Sequence, residues 1–415
     1  MTREQRLPAV FVSTSAIVWG AETSLLVTAQ HLARQGVRVG LLAQAPGFVE
    51  QWPGGAKRLA RGAGFYARLA WTALVERPEA LVCCSLRLAA AFAPLRLLPA
   101  AVRPALVFDL HDYMPGEGGR RRMRVAMWWF DRVVAVSGFA ASQLSQDYSA
   151  LLVLARPVEG GASGDGATGD GASGDAEDAG GGAQGAGERH RVGVVGRLDA
   201  DKRIELALEA VALLPDTELV LRGASGLDEA YTEGLRRRAH ELLGERAVFE
   251  GRVPRERVVS GLSCVVVAND EEALGRTVVE AQLAGVPVVV PDRGGARDLV
   301  EDGVTGRRFR AGSAASLAAA VRGVLDDPVA AGELAQRARR VAAERHDPAR
   351  VAREYLRFAV SGPSARPLRA LAARLAGRSG ARGEGGRGPA VPAPRSAAPV
   401  AQREADTRAD LQGPR

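Results

Sequence analysis

The stretch EEALGRTVVEAQLAGVPVVVPDRGGARDLV, residues 271–300, contains a helical pattern, a fully apolar segment and a glycine pair in succession. Its apolar residues recur at helical spacing over 275–284, which predicts a helix. The VPVVV segment at 286–290 predicts a strand, and such a run is typical of a parallel strand buried on both faces. Gly294 and Gly295 then predict a loop. A helix followed by such a strand is the repeating unit of an α/β fold.

The same alternation continues on both sides of this stretch through the second half of the chain. Strands that alternate with helices predict a mostly parallel sheet. The predicted strands are 247–251, 264–270 and 286–290, together with a strand and turn over 191–198 and a strand and loop over 218–226. The predicted helices are 201–214, 231–244, 275–284, 314–325, 328–345 and 349–359.

The first half of the chain repeats this alternation independently. Its predicted elements are a strand and loop over 8–19, a helix over 21–35, and strands over 37–43, 80–84, 105–112 and 132–137. We therefore expect an α/β protein made of two halves, each with its own mostly parallel sheet.

A low-complexity segment separates the two halves. Residues 159–188 repeat GASGD, GATGD and GASGD and contain no aromatic or large aliphatic residue, so they are predicted to form a disordered linker. The tail, 361–415, is rich in Pro, Gly, Ala and Arg and is also predicted to be disordered.

The composition is that of an ordinary globular protein, with 47% hydrophobic and 25% charged residues in a chain of 415. Arginines in the tail supply much of the net charge of +7, and no nucleic-acid-binding motif accompanies them. The three cysteines lack metal-ligand spacing and are expected to be reduced, buried thiols, with no metal site. No apolar run reaches the roughly 18 residues of a membrane span, which favours a cytoplasmic protein, in contact with a membrane at most peripherally.

Two glutamates flank the start of the predicted helix over 275–284. The preceding strand delivers Glu272 to the carboxyl edge of the sheet, where ligands bind in open α/β sheets. A separation of eight residues places Glu272 and Glu280 about 40° apart on a helical wheel, and a helix N-terminus binds anions. A phosphate flanked by two carboxylates that accept from hydroxyl groups describes a nucleotide sugar. The alternative is that Glu272 only interacts favourably with the helix dipole and that Glu280 is an ordinary surface glutamate.

Other strand ends carry ligand-type residues as well. Arg197 and Lys202 are two cations that suit a diphosphate, although they also fit an ordinary basic turn. Gly223 and the pair Gly294–Gly295 give loops where a backbone can approach a ligand closely. We expect these strand ends to form one ligand site.

Four motifs of the second half occur in order: GRLDADK (196–202), EALGRTVVE (272–280), AGVPVVV (284–290) and GGARDLVEDGVTG (294–306). In combination they resemble the family 4 retaining glycosyltransferases. The likeness is strong over about 190–345 and weaker, but in the same order, over 8–158. The resemblance implies the GT-B fold, an α/β architecture of two Rossmann-like domains with an inter-domain cleft.

On this resemblance the chain divides into five parts. Residues 1–158 are the N-terminal Rossmann-like acceptor domain, and 189–345 are the C-terminal Rossmann-like nucleotide-sugar-binding domain. The linker at 159–188 joins them, and a closing helix at 346–360 precedes the tail.

The resemblance also implies roles for single residues. Arg197 and Lys202 would hold the donor diphosphate, Glu272 would contact the donor sugar and Glu280 would bind the ribose hydroxyls. His111, in DLHD, matches a histidine near the reacting sugar in relatives; the alternative is a strand-end histidine that caps a loop. The implied catalytic residues are Glu272, His111, Arg197 and Lys202. The implied donor-binding residues are Gly20, Arg197, Lys202, Gly223, Leu274, Gly275, Glu280, Gly294 and Gly295.

Three further positions bear on the resemblance. Trp19 replaces a glycine that is usual beside Gly20, in a turn that approaches the donor phosphates. Asp298 stands where the family usually has a glutamate. Ser137 matches the family's serine at the start of a helix, where it would be an N-cap.

The implied function is transfer of a sugar, of hexosyl type, from a nucleoside-diphosphate sugar to a glycan, lipid or small-molecule acceptor, with retention of anomeric configuration. The expected role is in polysaccharide biosynthesis, and we expect no cofactor and no metal ion, because no D-x-D motif is placed to hold a divalent ion. The alternatives are a nucleotide-sugar epimerase on the same scaffold and a catalytically degenerate binding homologue. A dinucleotide-dependent oxidoreductase is disfavoured, since neither first strand continues into G-x-G-x-x-G.

Two basic segments leave a membrane contact open. The segment RRRMRVAMWWF, 120–130, predicts either an acceptor-side or membrane-facing surface or a packed amphipathic helix with a basic outer face. Residues 367–378 of the tail predict either a short basic amphipathic helix on an anionic membrane or a solvated arginine-rich segment.

Overall fold

The structure is a computed structural model that describes residues 6–15, 20–54, 57–144, 150–158, 189–225 and 228–361. The predicted linker at 159–188, Trp19, and the tail from 362 onward with its predicted helix at 367–378 lie outside the described residues. Within the described ranges, no helix has both the length and the apolar character that a membrane crossing needs.

The first half of the chain forms a seven-stranded sheet in which every pairing is parallel. Its strands are β1 (Ala9–Ser13), β2 (Gly40–Ala43), β3 (Lys57–Leu59), β4 (Ala80–Cys83), β5 (Ala105–Leu110), β6 (Arg132–Ala135) and β7 (Leu151–Val153). Their order is β3-β2-β1-β4-β5-β6-β7, so the direction of progression reverses between β1 and β4. This is the doubly wound order of Rossmann-like sheets.

The second half forms a six-stranded parallel sheet with the same topology. Its strands are β8 (His190–Val195), β9 (Thr217–Arg222), β10 (Ala247–Gly251), β11 (Cys264–Val266), β12 (Val288–Pro291) and β13 (Arg307–Phe309). The order is β10-β9-β8-β11-β12-β13, and the reversal falls between β8 and β11. The sequence patterns did not predict β3, β7 and β13, because three residues at a sheet edge are too few to produce a recognisable period.

Helices cover both faces of each sheet, as buried parallel strands require. In the first half they are α1 (Gly20–Arg34), α2 (Pro46–Gln51), α3 (Gly62–Trp71), α4 (Ala89–Arg96), α5 (Gly116–Ala126) and α6 (Gly138–Ala141). The rest are α7 (Ile204–Ala212), α8 (Glu229–Leu243), α9 (Arg276–Leu283), α10 (Ala314–Leu325), α11 (Pro328–Arg345) and α12 (Pro348–Ala359). Each sheet therefore has one hydrophobic core on either side.

Several helices begin at a side-chain cap that the sequence specifies. Asp228, Ser313, Asp327 and Asp347 each accept a hydrogen bond from the backbone N–H three residues further on. Such caps satisfy N–H groups that have no partner within the helix. A proline follows both Asp327 and Asp347, where its fixed φ favours the first helical turn.

The last helix, α12, returns to the first sheet. Its apolar face, with Val351, Ala352, Tyr355 and Ala359 fully buried, packs in the core that contains Phe11 of β1. The rings of Phe11 and Tyr355 lie 5.8 Å apart. The described residues all fall within one compact unit of the chain. The sequence predicts the helix but gives no indication of the sheet on which it packs.

The segment 120–130 consists of the end of α5 and a 3-10 turn at Met127–Trp129, and it packs as an amphipathic element with a basic outer face. This was one of the two interpretations of its sequence. Its buried side chains are Met123, Met127 and Phe130, and its exposed ones include Arg121, Arg122, Val125 and Trp128.

The cysteines are free thiols, as predicted. Cys83 and Cys264 are buried in strands of the two sheets, whereas Cys84 is partly exposed.

Candidate active site

The carboxyl edge of the second sheet places two loops side by side. β8 and β11 are adjacent parallel strands, with Val265 opposite Gly193. The loop after β8 carries Arg197 and Lys202, and the loop after β11 carries Glu272. They emerge where the strand order reverses, which is where open α/β sheets bind ligands. The sequence predicts that these residues share one edge, and the structure has them there.

An ion pair joins the two loops. Nζ of Lys202 lies 2.6 Å from Oε2 of Glu272, and the side-chain amide of Asn269 donates to the same oxygen at 3.2 Å. Both charged side chains are 24% exposed, so a ligand can reach them. Asn269 was not among the site residues predicted from the sequence, although it lies only three residues before Glu272.

A second ion pair lies beside the first. Nη1 of Arg203 is 2.6 Å from Oδ1 of the buried Asp270. Arg203 follows a 3-10 turn at Ala200–Lys202 and has a left-handed backbone, with φ of 50°. For a residue with a side chain this conformation costs roughly 1–2 kcal/mol, and the ion pair with Asp270 holds it in place. Neither Arg203 nor Asp270 was predicted as a site residue, because no local sequence pattern indicates a left-handed backbone at Arg203.

Arg197 lies among acidic side chains. It forms an ion pair with Asp199, and Asp201 is 3.8 Å from Arg197 and 3.7 Å from Lys202. The sequence-based interpretation treated Arg197 and Lys202 as two cations for a diphosphate and overlooked these carboxylate partners. In the described ranges, no group of three or more His, Cys, Asp or Glu side chains is arranged to hold a metal ion.

The glycine pair fits against the turn that carries Glu272. A Cβ on Gly295 would overlap the carbonyl oxygen of Ala273, and a Cβ on Gly294 would lie 2.7 Å from the carbonyl oxygen of Asp270. The N–H of Gly295 donates to the carbonyl of Glu272 at 2.6 Å. These glycines were expected to let the backbone approach a ligand, but here another loop of the protein makes the close approach.

Gly223 also lies against the backbone of another loop. A Cβ on Gly223 would overlap the carbonyl oxygen of Gly196, so this glycine permits contact between the loops that follow β8 and β9. Gly196 directly precedes Arg197, and Gly223 therefore fixes the position of the Arg197 loop.

Helix α9 begins at Arg276, after Gly275 in a left-handed conformation with φ of 88°. Glu272 lies in the turn before the helix, so the helical-wheel relation expected between Glu272 and Glu280 does not apply. Instead Glu280 pairs with Arg276, with Nε and Oε1 2.9 Å apart. Nη1 of Arg276 also donates to the carbonyl of Gly20, at the start of α1, at 3.3 Å. Arg276 was missed, although Arg and Glu four residues apart are a recognisable helical pair.

Several contacts join this turn to the first half of the chain. Ser137 caps α6, as predicted, by accepting from Ala140 N–H at 3.0 Å, and its hydroxyl donates to the carbonyl of Ala273. Leu274 packs against cores of both sheets. Asp298, the departure from the family pattern, accepts from the N–H of Phe139 at 3.2 Å.

His111 lies at the carboxyl end of β5, in the first sheet. Its Nε2 is 3.2 Å from Oδ2 of Asp109, and its side chain is 8% exposed. Among the described residues, none of Arg197, Lys202 and Glu272 forms a hydrogen bond or an ion pair with His111. The structure therefore brings together the predicted residues of the second sheet, and it links Gly20 to them through Arg276.

Residues 183–345 match the family model described as Glycosyl transferases group 1. This part of the chain is similar to the group 1 glycosyltransferases. The group 1 region contains Arg197, Lys202, Glu272 and Glu280, whereas Gly20 and His111 precede it. The resemblance to group 1 glycosyltransferases that the motifs predicted is confirmed.

The chain is similar to curated D-inositol 3-phosphate glycosyltransferases of mycobacteria. It is 35% identical to that of Mycobacterium marinum over 143 residues, which are 33% of this chain and 31% of the relative. It is 38% identical to that of Mycolicibacterium gilvum over 120 residues, 28% of this chain and 27% of the relative. The chain thus spans less than a third of the length of these relatives.

Solved structures extend the likeness to both sheets. Anabaena HepE in complex with UDP and glucose superposes with a TM-score of 0.69 at 21% identity, covering 86% of this chain and 100% of that one. Sucrose-phosphate synthase from Thermosynechococcus elongatus gives 0.66 at 18% identity, covering 89% and 100%. At identities of 21% and 18%, structural similarity is evidence for the fold alone. It confirms the predicted GT-B fold.

Proposed function

We propose that the protein transfers a glycosyl group from a nucleoside-diphosphate sugar to an acceptor, with retention at the anomeric carbon. The main support for the proposal is the Lys202–Glu272 ion pair. It lies within the group 1 region, where the loops after β8 and β11 meet at the carboxyl edge of the sheet. The pair holds a cation suited to a phosphate within 2.6 Å of a carboxylate suited to a sugar hydroxyl.

Lys202 and Arg197 would bind the donor diphosphate. An ammonium group has three donors, so Lys202 can keep Glu272 and still donate to a phosphate oxygen. Arg197 has five donors in a planar fork, a geometry that suits phosphate oxygens. Negative charge develops on the diphosphate as the glycosidic bond breaks, and cations fixed in advance stabilise it. We infer from this that neither a metal ion nor a cofactor takes part.

The carboxylates would bind the sugar and the ribose. Glu272 is held by Lys202 and Asn269 and would accept from a hydroxyl of the donor sugar. Oε1 of Glu280 is bound to Arg276, which leaves Oε2 for the ribose hydroxyls. The N-terminal N–H groups of α9, beside Leu274 and Gly275, favour an anion near them.

Residues of the first half would complete the donor site. Gly20 begins α1 and lies against Arg276, so the start of α1 is next to the Glu280 ion pair. His111 would contact the reacting sugar from the end of β5. We further propose a hexosyl donor and a glycan or lipid-linked acceptor of polysaccharide biosynthesis. The related structure of Anabaena HepE was solved with UDP and glucose, which supports UDP-glucose as the first donor to test.

Binding of UDP and GDP by the full chain tests the donor site. We expect one of the two to bind, and we expect Lys202→Glu to weaken that binding by about 100-fold, equivalent to about 2.7 kcal/mol, because it replaces an attractive charge by a repulsive one. Arg237→Glu makes the same charge change on the exposed side of α8 and should leave the affinity unchanged. Equal affinity of the wild type and Lys202→Glu, measured by calorimetry, would rule out this site.

Turnover of UDP-glucose and GDP-mannose separates the enzyme from its alternatives. Release of the nucleoside diphosphate, with the anomeric configuration of the product retained, is the expected result. A C-4 or C-2 epimer of the intact donor would indicate an epimerase instead. Tight binding without turnover of either donor, over hours and with membrane extract as acceptor source, would indicate a degenerate binding protein.

We also propose that the end of α5 and the turn after it contact an anionic membrane surface, at the cytoplasmic face of the cell membrane. Trp128 and Val125 are 37% and 54% exposed, and Arg121 and Arg122 are exposed beside them. Tryptophan and arginine suit a bilayer interface. Co-sedimentation with phosphatidylglycerol vesicles should fall in Arg121→Gln/Arg122→Gln and persist in Arg237→Gln. Equal binding of the two variants would contradict the proposal.

A further inference from the structure

A charged network is buried beneath His111. Asp109 of β5, Arg156 after β7 and Tyr355 of α12 are each 1% exposed. Nη2 of Arg156 donates to Oδ1 of Asp109, and the hydroxyl of Tyr355 donates to Oδ2 at 3.0 Å. Nε2 of His111 lies 3.2 Å from the same Oδ2. A buried carboxylate is costly unless it is paired and hydrogen-bonded, and here each oxygen of Asp109 has such a partner.

The carboxylate is ionised. Burial acts to raise the pKa of Asp109, but the nearby Arg156 and His111 outweigh burial and lower the pKa to about 2. Oδ2 can therefore only accept hydrogen bonds; it accepts one from Tyr355, and Nε2 of His111 lies within donor distance of it, at 3.2 Å.

Three separate segments hold the network rigid. The guanidinium carbon of Arg156 lies 5.5 Å from the ring centroid of Tyr355, and Nδ1 of His346 donates to the carbonyl of Arg156 at 2.8 Å. Tyr355 also stacks on Phe11 of β1. The position of Asp109 is thus fixed by residues that follow the group 1 region in the chain as well as by its own strand.

His111 lies just past the carboxyl end of β5, and its side chain is 8% exposed, more than those of Asp109 and Arg156. When a carboxylate accepts from Nε2, the neutral imidazole carries its proton on Nε2 and offers Nδ1 as an acceptor. No described residue bonds to Nδ1. A ring with one nitrogen fixed by a buried carboxylate and the other without a protein partner is arranged to receive a ligand hydroxyl.

We propose that Asp109, Arg156 and Tyr355 are positioning residues that hold His111 in the Nε2-protonated form, so that Nδ1 accepts a hydrogen bond from a hydroxyl of the donor sugar. The proposal rests on the function proposed above, and it extends the donor site to α12.

Asp109→Asn is the decisive variant. Arg156 has only donors, so the amide oxygen of the new side chain must face Arg156, and the amide nitrogen then faces Nε2 of His111. Donation from that nitrogen moves the imidazole proton to Nδ1, which can no longer accept from the sugar. A long-range ¹H–¹⁵N spectrum of the full chain should show the proton on Nε2 in the wild type and on Nδ1 in Asp109→Asn.

Turnover provides the second readout. In Asp109→Asn we expect kcat for UDP-glucose to fall about 100-fold while UDP affinity stays within twofold, since UDP lacks the transferred glucose that His111 would contact. Tyr355→Phe keeps the ring and removes one hydroxyl, and we expect a fall of about fivefold, which keeps the proposal testable should Asp109→Asn not fold. Tyr66→Phe removes an exposed phenol hydroxyl on α3 as a control and should leave kcat unchanged.

The outcomes separate this proposal from the function on which it rests. An Asp109→Asn protein that folds and keeps the proton on Nε2, or a Tyr355→Phe protein with wild-type kcat, would overturn the positioning role. A wild type that cleaves no nucleotide sugar would overturn the proposed function, and the tautomer of His111 in the same samples would still decide the positioning role.

Discussion

Gly295 is a residue whose identity is set by the loop opposite. Its N–H donates to the carbonyl of Glu272 at 2.6 Å, and any Cβ would overlap the carbonyl oxygen of Ala273. Only glycine lets the loop after β12 lie this close to the turn that carries Glu272. Its φ is not in the left-handed region, so the constraint is steric rather than conformational.

We expect Gly295→Ala to lower the free energy of unfolding by about 2 kcal/mol, because overpacking of this kind forces the backbone to move. UDP affinity should fall as well, since the displaced turn carries Glu272. Urea denaturation and calorimetry measure the two effects. Gly332→Ala, within α11 and with no atom within 4 Å of the added Cβ, should instead stabilise the protein by about 0.5–1 kcal/mol and leave affinity unchanged. Equal stability of Gly295→Ala and the wild type would contradict the steric explanation.

Helix α6 shows how one short element joins the two halves of the chain. It has four residues, and Ser137 both caps it and donates to the carbonyl of Ala273. Asp298 accepts from the N–H of Phe139, in the first turn of the same helix. So short a helix has little stability of its own, and its position depends on these contacts with the site turn.

Ser137→Ala should therefore have two effects. Loss of the cap should lower the free energy of unfolding by about 1 kcal/mol, and loss of the bond to Ala273 should weaken donor binding, because Ala273 adjoins Glu272. Ser313→Ala removes a comparable cap from α10, where the serine bonds to Ser316 and Arg310 rather than to the site turn, and should reduce stability alone. Thermal unfolding and UDP titration of both variants distinguish the effects. The same UDP affinity in both would show that the Ala273 contact has no role in binding.

At the scale of the whole molecule, α12 ties the end of the described chain to the first sheet. His346, just before α12, is 2% exposed, and burial lowers its pKa to about 4. Its Nδ1 donates to the carbonyl of Arg156, so the neutral ring is part of the fold. Between about pH 4 and pH 6.5, His346 therefore stays neutral in the folded protein but binds a proton in the unfolded chain.

Stability should consequently fall as the pH is lowered from about 6.5 to about 4, since more protons bind to the unfolded chain in this window. The gap between the two pKa values corresponds to about 3 kcal/mol. Urea denaturation across this window should show the loss in the wild type, and His346→Asn, which keeps a donor for Arg156 but cannot titrate, should flatten it. Asp109 does not contribute to this loss. Its pKa is lowered to about 2, so the stability that it contributes is lost only below about pH 4. An unchanged pH dependence in His346→Asn would exclude His346 as the cause.

The sequence by itself determined the features that depend on neighbours along the chain. The apolar run VPVVV predicted a buried parallel strand, the family resemblance implied the cap at Ser137, and the alternation of strands and helices placed Arg197, Lys202 and Glu272 at one edge. These predictions succeeded because periodicity and capping act over a few residues, and because parallel strands present their carboxyl ends together.

Only the tertiary structure decided which charges meet. Lys202 and Glu272 are 70 residues apart, and Asp109 and Tyr355 are 246 apart, so no local pattern can pair them. The same holds for the left-handed Arg203, which Asp270 holds in place, and for Gly295, whose neighbour comes from the preceding loop. Contacts of this kind arise only after the helices and strands have packed, because packing selects among many partners that the sequence leaves equally available.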